Sequence, residues 1–532
     1  MPPQILRTRL LAGSACLPLL LSLACSSTLD DDDSVADGYG DEGETQGADE
    51  GEDSTETGDD TGTSDDSSEA SDTGEDDGAG ETGPTDPGML AEACDPNAGQ
   101  SHGYDLAVAN LELAPALVRE AVLFGDGKVP RIPLSPRPFL NHFDFGYAPS
   151  PGASPSLSGQ LWPVGPANAE GVERYRFQFA VKAPALSPQQ RPPVDLAIVV
   201  DLGPSMAGEP LVLVEEALAA IESALGPGDR VTLIAAGEEA MDLAAADIEG
   251  FGSTPLTGLI NPEEAFGYAK LEAAIELAYA SLESPWSGDE IGHRRVLLLS
   301  NGHFEVSPAL ADTVSSAAAE DRHLVSVATG THELYADSAL RELGRLGQGS
   351  AVFAPTADAV WAKLADGFTE RMITAALDLE VELSLPPGLA LAPTKPGGNG
   401  TGTAVEASEG ILGANGALVF HHELLACAEL DPNAFVVVEL SWLDPTTFET
   451  VETDFQLPLD AIGEPSAAGL EAAAAVAYSQ ALVAYRDAEG PPGDYGLILD
   501  ASTMIAAALE MNPEDADLIE MSEVLAQLET AP

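Results

Sequence analysis

Between Pro193 and Met372, short apolar runs alternate with longer stretches of helical spacing, and this alternation leaves few folds open. Val194–Val200 is a nearly unbroken apolar run that ends at Asp201, and Arg230–Ala236, Arg295–Ser300, His323–Thr329 and Ser350–Ala354 repeat the pattern. Runs of this kind suit strands buried inside a parallel sheet with helices on both faces. Leu211–Leu225, Leu271–Leu282, Ala309–Glu320, Ala336–Leu346 and Ala357–Met372 carry the helical spacing. Met241–Asp247 reads as one more strand, at a sheet edge. The expected unit, residues 191–373, is a doubly wound, mainly parallel α/β sheet. Ligands of such sheets sit beyond the carboxyl ends of strands, where the strand order reverses. That points to the loops after Val200 and Ser300.

Strand-like alternation flanks this unit on both sides. Val172–Val181 precedes it; Leu377–Leu385, Ala417–Leu425 and Phe435–Leu443 follow, with turn signals at Gly397–Gly400 and Asp444-Pro445. Strands from a flank at 104–190 and a β-rich region at 374–465 are expected to pair in one sandwich, with the α/β unit inserted between them. The chain then turns helical over 466–532: Leu470–Arg486, Leu497–Met511, and a last helix after Asn512-Pro513 with apolar Leu518, Met521, Leu525 and Leu528. Glu471 and Gln480 mark Leu470–Tyr485 as a soluble helix.

The N-terminus has another texture. Arg7 and Arg9 precede a mostly apolar stretch, Leu10–Ala24, too short for a comfortable membrane span. It ends Leu21-Ser22-Leu23-Ala24-Cys25. That resembles a bacterial lipobox, with Leu one place earlier than usual; residues 1–24 are then a lipoprotein signal peptide and Cys25 the lipidated residue. An ordinary signal peptide with Ala-type cleavage is the alternative. Asp30–Gly88 holds 24 acidic residues and no Lys or Arg. Such a composition cannot offset its ordering entropy, so 25–92 is expected to be a disordered acidic tether. Ser26 does not match the Asp that retains enterobacterial lipoproteins at the inner membrane, which favours the outer membrane. Of the four cysteines, Cys94 and Cys427 remain after processing. In an oxidising compartment they either pair or stay as two thiols.

The loops at the predicted strand ends carry a resemblance. Val199-Val200-Asp201-Leu202-Gly203-Pro204-Ser205-Met206 is similar to the first metal motif, D-x-S-x-S, of von Willebrand factor A domains. Leu297-Leu298-Leu299-Ser300-Asn301-Gly302 stands where that family has its later strand and T-D-G, and Pro227-Gly228-Asp229-Arg230-Val231 matches its approach to the second strand. Phe139-Leu140-Asn141-His142-Phe143-Asp144-Phe145 resembles the F-L-N-Y-F-D-Y signature of the bacterial YfbK-like subgroup. The likeness extends over about 104–530. It implies a site for a divalent cation, usually Mg²⁺, held by Asp201, Ser205, Thr254 and Asn301. The site is degenerate: Gly203 replaces a Ser, Asn301 replaces an Asp, and helix counting places Ala269 rather than Thr254 at the Thr position. Asp201 and Ser205 either keep part of a metal shell or only organise the loop.

Other chemistry is sparse. His421 and His422 are adjacent, so in a strand they face opposite ways. His303 lies near the switch point, as a partner contact or as ordinary loop polarity. Ser205 stands outside G-x-S-x-G, and no Walker or dinucleotide fingerprint occurs. Trp286, Trp361 and Trp442 read as core or rim residues. The chain carries a net charge of −68, and residues 89–532 alone have 65 acidic against 19 basic side chains. That disfavours nucleic acid and a basic membrane patch. The expectation is a non-enzymatic lipoprotein of the bacterial envelope, attached to the membrane by its lipid alone. It would bind an envelope or surface protein, with no small-molecule substrate; a metal-free scaffold is the alternative.

Overall fold

The chain enters through β1 (Gln100–Gly103), helices α1 (Leu113–Arg119) and α2 (Pro136–His142), and strands β2 (Ser156–Pro166) and β3 (Glu173–Lys182). Then come β4 (Val194–Asp201), α3 (Glu209–Ala224), β5 (Arg230–Ala236), β6 (Ala240–Asp247), α4 (Leu271–Ser281) and β7 (His293–Ser300). They continue as α5 (Pro308–Ala318), β8 (Arg322–Thr329), α6 (Asp337–Leu346), β9 (Gln348–Ala354), α7 (Ala357–Trp361) and α8 (Phe368–Met372). Strands β10 (Thr374–Leu385), β11 (Leu389–Leu391), β12 (Gly410–Gly413), β13 (Ala417–Ala426), β14 (Phe435–Leu443) and β15 (Thr450–Pro458) follow, and helices α9 (Ala467–Asp487), α10 (Tyr495–Met511) and α11 (Ala516–Thr530) end the chain. This computed structural model describes residues 97–106, 113–148, 150, 152–166, 172–247, 255–260, 268–283, 293–392, 410–488 and 495–530. The expected leader (1–24), tether (25–92), Cys25, Cys94, Trp286 and the turn at 397–400 lie outside the described residues.

The inserted unit is a six-stranded sheet in the order β6-β5-β4-β7-β8-β9. All neighbours are parallel except β5 and β6, which run antiparallel at the edge. Every residue of β4 is buried. Leu196, Ile198 and Val200 face α3, α7 and α8, packing with Leu211, Val214 and Leu218. Ala197 and Val199 face α4, α5 and α6, with Ile275, Leu310, Val314 and Leu340. Each large aliphatic side chain so covered contributes about 1.5–3 kcal/mol. The helix expected over Ala357–Met372 is broken. A π turn at Ala362–Asp366 leads to Gly367, where a side chain would meet Arg371 Nη1 at 2.4 Å and the Lys363 carbonyl at 2.9 Å.

The flanking strands form the expected sandwich around the insertion. One sheet runs β11-β13-β3-β2; the other runs β1-β10-β14-β15, with β12 also on β10. Strand β3, before the insertion, pairs along its full length with β13, after it, from Lys182 opposite Ala417 to Glu173 opposite Ala426. Phe177, Phe179, Val181, Leu418 and Phe420 face Leu379, Val381, Leu383, Val438, Leu440 and Trp442 across the interior. Trp442 is thus a core residue, whereas Trp361 is a rim residue whose Nε1 donates to Glu216 Oε2 at 3.0 Å. His421 and His422 diverge as strand geometry requires. His422 Nε2 meets the Tyr104 hydroxyl at 2.8 Å inside the sandwich, and His421 packs on the Trp162 ring on the opposite face.

That opposite face carries a helical layer of α2, α9, α10 and α11, in which Leu518, Met521, Leu525 and Leu528 are buried. Helix α9 is long and apolar enough to cross a membrane by composition, but here Ala472, Ala474, Ala475, Tyr478 and Leu482 are core residues of this layer. Two features of the N-terminal flank go beyond the expected strands. Helix α1 sends Leu113 and Leu117 into the inserted unit's core, and Ala114 and Val118 into the helical layer. The F-L-N-H-F-D-F run proves structural. Phe139 meets Tyr478 edge-on at 5.6 Å, and Asn141 Oδ1 accepts the Val419 N–H at 3.0 Å. Strand β11 pairs only with Leu424–Ala426, so Asn141 completes the sheet edge that β11 leaves. Cys427, just past β13, is disulfide-bonded, and its N–H donates to the Gly388 carbonyl at 2.8 Å.

Candidate functional site

Strands β4 and β7 lie side by side at the centre of the inserted sheet, and the order of strands runs outward from them in opposite directions. Their carboxyl ends bring Asp201 and Ser300 together. Asp201 is 4% exposed. Its Oδ2 accepts the Ser300 hydroxyl at 2.6 Å and its Oδ1 accepts the Gly203 N–H at 2.8 Å. Burial raises the Asp201 pKa, while the bonds from Ser300 and Gly203 and the nearby His303 work against that rise.

The next turn of each loop meets the other. Ser205 Oγ donates to Asn301 Oδ1 at 3.1 Å, and Asn301 Nδ2 donates back to the Ser205 carbonyl at 2.8 Å. Asn301 is fully buried, its carbonyl accepts the Ala336 N–H at 2.9 Å, and its N–H points at Met206 Sδ at 3.2 Å. Gly302 turns the chain with φ +83°, and a Cβ there would lie 2.1 Å from the Ala336 carbonyl oxygen. Only glycine fits such a position without displacement. Gly203 is a different case. Its φ is −63°, an ordinary value that any residue adopts. A Cβ would sit 3.0 Å from Asp201 Oδ1 and 3.5 Å from the Ala269 Cβ.

The structure therefore brings Asp201, Ser205 and Asn301 together, with Gly203 and Ala269 beside them. Thr254 lies outside the described residues. Ser300 is the partner that sequence reasoning passed over, although a polar residue ending a buried parallel strand beside the switch point was a usable signal. The donor set suits a divalent ion poorly. Mg²⁺ takes six oxygens in strict octahedral geometry. Here one carboxylate, one hydroxyl and one amide oxygen each already hold a protein hydrogen bond, and Gly203 and Ala269 offer no side-chain oxygen. Among the described residues, no group of three or more His, Cys, Asp or Glu side chains is placed to hold a metal.

Around this closed cluster stand exposed side chains. Tyr268, next to Ala269, is 87% exposed. The His303 Nε2 meets the Leu334 carbonyl at 3.0 Å, and the Leu334 side chain is 39% exposed. The His332 ring lies against Gly125, which follows the exposed Phe124.

Comparison with known proteins gives limited likenesses. No family model matches the chain. The E3 ubiquitin-protein ligase WAV3 of Arabidopsis thaliana is 46% identical over 77 residues, 12% of this chain. The chain spans 10% of the length of that curated relative. Among solved structures, a von Willebrand factor type A protein from Catenulispora acidiphila is 13% identical with a TM-score of 0.41, covering 70% of this chain and 91% of that one. The ArnB paralog VWA2 from Sulfolobus acidocaldarius is 14% identical with a TM-score of 0.36, covering 70% and 98%. An aerotolerance-related membrane protein from Bacteroides fragilis is 14% identical with a TM-score of 0.27, covering 32% and 97%.

Proposed function

We propose that the protein is a non-enzymatic cell-envelope lipoprotein that binds another protein through the loops at the carboxyl edge of its inserted sheet, without a divalent ion. The closed cluster carries this reading. Asp201, Ser205, Ser300 and Asn301 bond to one another or to the adjoining backbone, so they fix the loops. The Ser205 hydroxyl donates to an amide oxygen, not to a base, which leaves it without the activation a nucleophile needs. Tyr268, His303 and Leu334 project from the loops so fixed, and rigid exposed aromatic side chains are favoured anchors for protein partners. The acidic balance of residues 89–532 favours a cationic partner surface.

A photo-crosslinking residue at Tyr268 or Leu334 in the native envelope tests this, with Leu499, 64% exposed on α10, as the control. One protein captured from both loop positions and not from Leu499 is the expected result; equal capture from all three sets the reading aside. Melting curves in Mg²⁺ and in EDTA should coincide. A Mg²⁺ stabilisation that disappears in Asp201→Ala would instead favour metal-dependent binding. The anchor is tested by palmitate labelling, expected in the wild type and absent in Cys25→Ser. Pairing of Cys427 with Cys94 belongs to the same proposal. Residue Gly99 lies beside Leu385 and Pro387, next to the Gly388 carbonyl that Cys427 binds. A non-reducing digest should recover the two cysteines in one linked fragment.

A further inference from the structure

Helix α11 is joined to the N-terminal flank through one shared guanidinium. Arg119, the last residue of α1, reaches Glu520 Oε2 of α11 at 3.0 Å through its Nε, and Glu120 Oε1 at 2.9 Å through its Nη1. Glu120 is buried and opens the π turn Glu120–Phe124. Two ionised carboxylates on one guanidinium leave a surplus negative charge at the joint. Below it, Leu518, Met521, Leu525 and Leu528 of α11 share one core with Ala114, Val118 and Val122.

The charges around the triad are mostly of the same sign. Asp517 and Glu523 act on Glu520, and Glu209 acts on Glu120. Asp517 accepts the Asp144 N–H at 3.0 Å, and Asp144, Asp515 and Glu471 of α9 crowd the same end of α11. Of the cationic groups, His332 bears on Glu120, Lys363 on Asp517 and Lys182 on Asp144. Tyr478 of α9 also faces Glu520, but burial keeps its hydroxyl neutral. Carboxylates gathered in a half-buried joint resist ionising together. Burial, opposed by Arg119 and assisted by Asp517, Glu120 and Glu523, pushes Glu520 up to about 7. Burial raises Glu120, Asp517 and Glu471 in the same direction.

We propose that the Glu120–Arg119–Glu520 triad is a proton-operated latch, which holds α11 on the N-terminal flank in mildly acid surroundings and loosens it as they turn neutral. A proton taken up by Glu520 leaves Arg119 to Glu120 and removes the repulsion from Asp517 and Glu523. The docked helix holds that proton more tightly than the detached one. Docking is therefore firmest below the ordinary glutamate value of 4.5 and weakens as pH rises through about 7. Hydrogen–deuterium exchange of the full-length protein at about pH 5.5 and about pH 7.5, corrected for the chemical exchange rate, tests this. Protection of Ala516–Thr530 is expected to fall about tenfold between the two, while β14 keeps its own. Glu520→Gln, which imitates the protonated side chain, should stay protected at the higher pH. Wild-type protection of α11 that ignores pH, or that falls only in step with β14, would overturn the proposal without any variant having to fold. So would a Glu520→Gln helix that exchanges faster than the wild type at the higher pH.

Discussion

Two groups of strand-end residues in the inserted sheet bury polar side chains in opposite ways. At the carboxyl end, Asp201, Ser300, Ser205 and Asn301 form a set in which donors and acceptors are matched within the protein. At the amino end, Arg295 and Ser350 keep buried donors that the protein does not use. A matched set is a fastening, because a buried polar group that is fully bonded costs little and fixes its neighbours. An unmatched set is a standing cost, because the desolvation of its donors goes uncompensated.

The comparison can be broken most forcefully at Gly302. Gly302→Ala places a methyl into the Ala336 carbonyl at a positive φ and should destabilise by about 3–5 kcal/mol, read from urea midpoints. A cost under 1 kcal/mol would mean the carboxyl-end loops are not locked. Asn301→Asp comes next. It loses the bond to the Ser205 carbonyl and sets a carboxylate against that oxygen, for an expected loss of about 1–3 kcal/mol. The added charge should make this variant, unlike the wild type, gain stability from Mg²⁺. Gly203→Ser should add little beyond it, because its Cβ crowds Asp201 Oδ1.

Asp201→Asn gives a smaller effect with a defined sign. Burial raises the folded pKa of Asp201, so the native state holds its proton more tightly than the unfolded chain does. Stability then falls as pH rises from the unfolded carboxyl value through the raised folded one. Asp201→Asn should flatten that slope in a series of melts from pH 3 upward. Ser350→Ala, the mildest change, should cost no more than about 1 kcal/mol by urea midpoint, since its hydroxyl bonds no protein group. A larger loss would break the contrast, because it would mean that this hydroxyl is held by the protein after all.

The sequence made the central sheet legible because its strands are buried on both faces and stand out as apolar runs such as Val194–Val200. The convergence of Asp201, Ser205 and Asn301 was legible for the same reason: topology alone places the ends of β4 and β7 together. Helix α1 was not, because it divides a short apolar set between two cores and shows no single stripe. Phe139–Phe145 could be read as a signature but not as a job; that Asn141 caps Val419 depends on how short β11 is. Arg295 was the least legible. Arg294-Arg295 before an apolar run looks like the solvated start of a strand, and nothing local says that Gly413–Leu418, from the far side of the insertion, will cover it.

The pairing of β3 with β13 sets an order of events. Leu186 and Asn415, 229 residues apart, are bonded to each other just beyond those strands. Closing so long a loop is slow and entropically costly unless the intervening chain has already condensed. As the polypeptide is made from its N-terminus, β2 and β3 must wait, with one edge uncovered, until the inserted sheet has formed and brought residues 182 and 417 near each other. The insertion thus acts as a timer: a variant that slows its folding should leave a sandwich strand open to wrong partners, and aggregation of the nascent chain would trace to a region that carries no mutation.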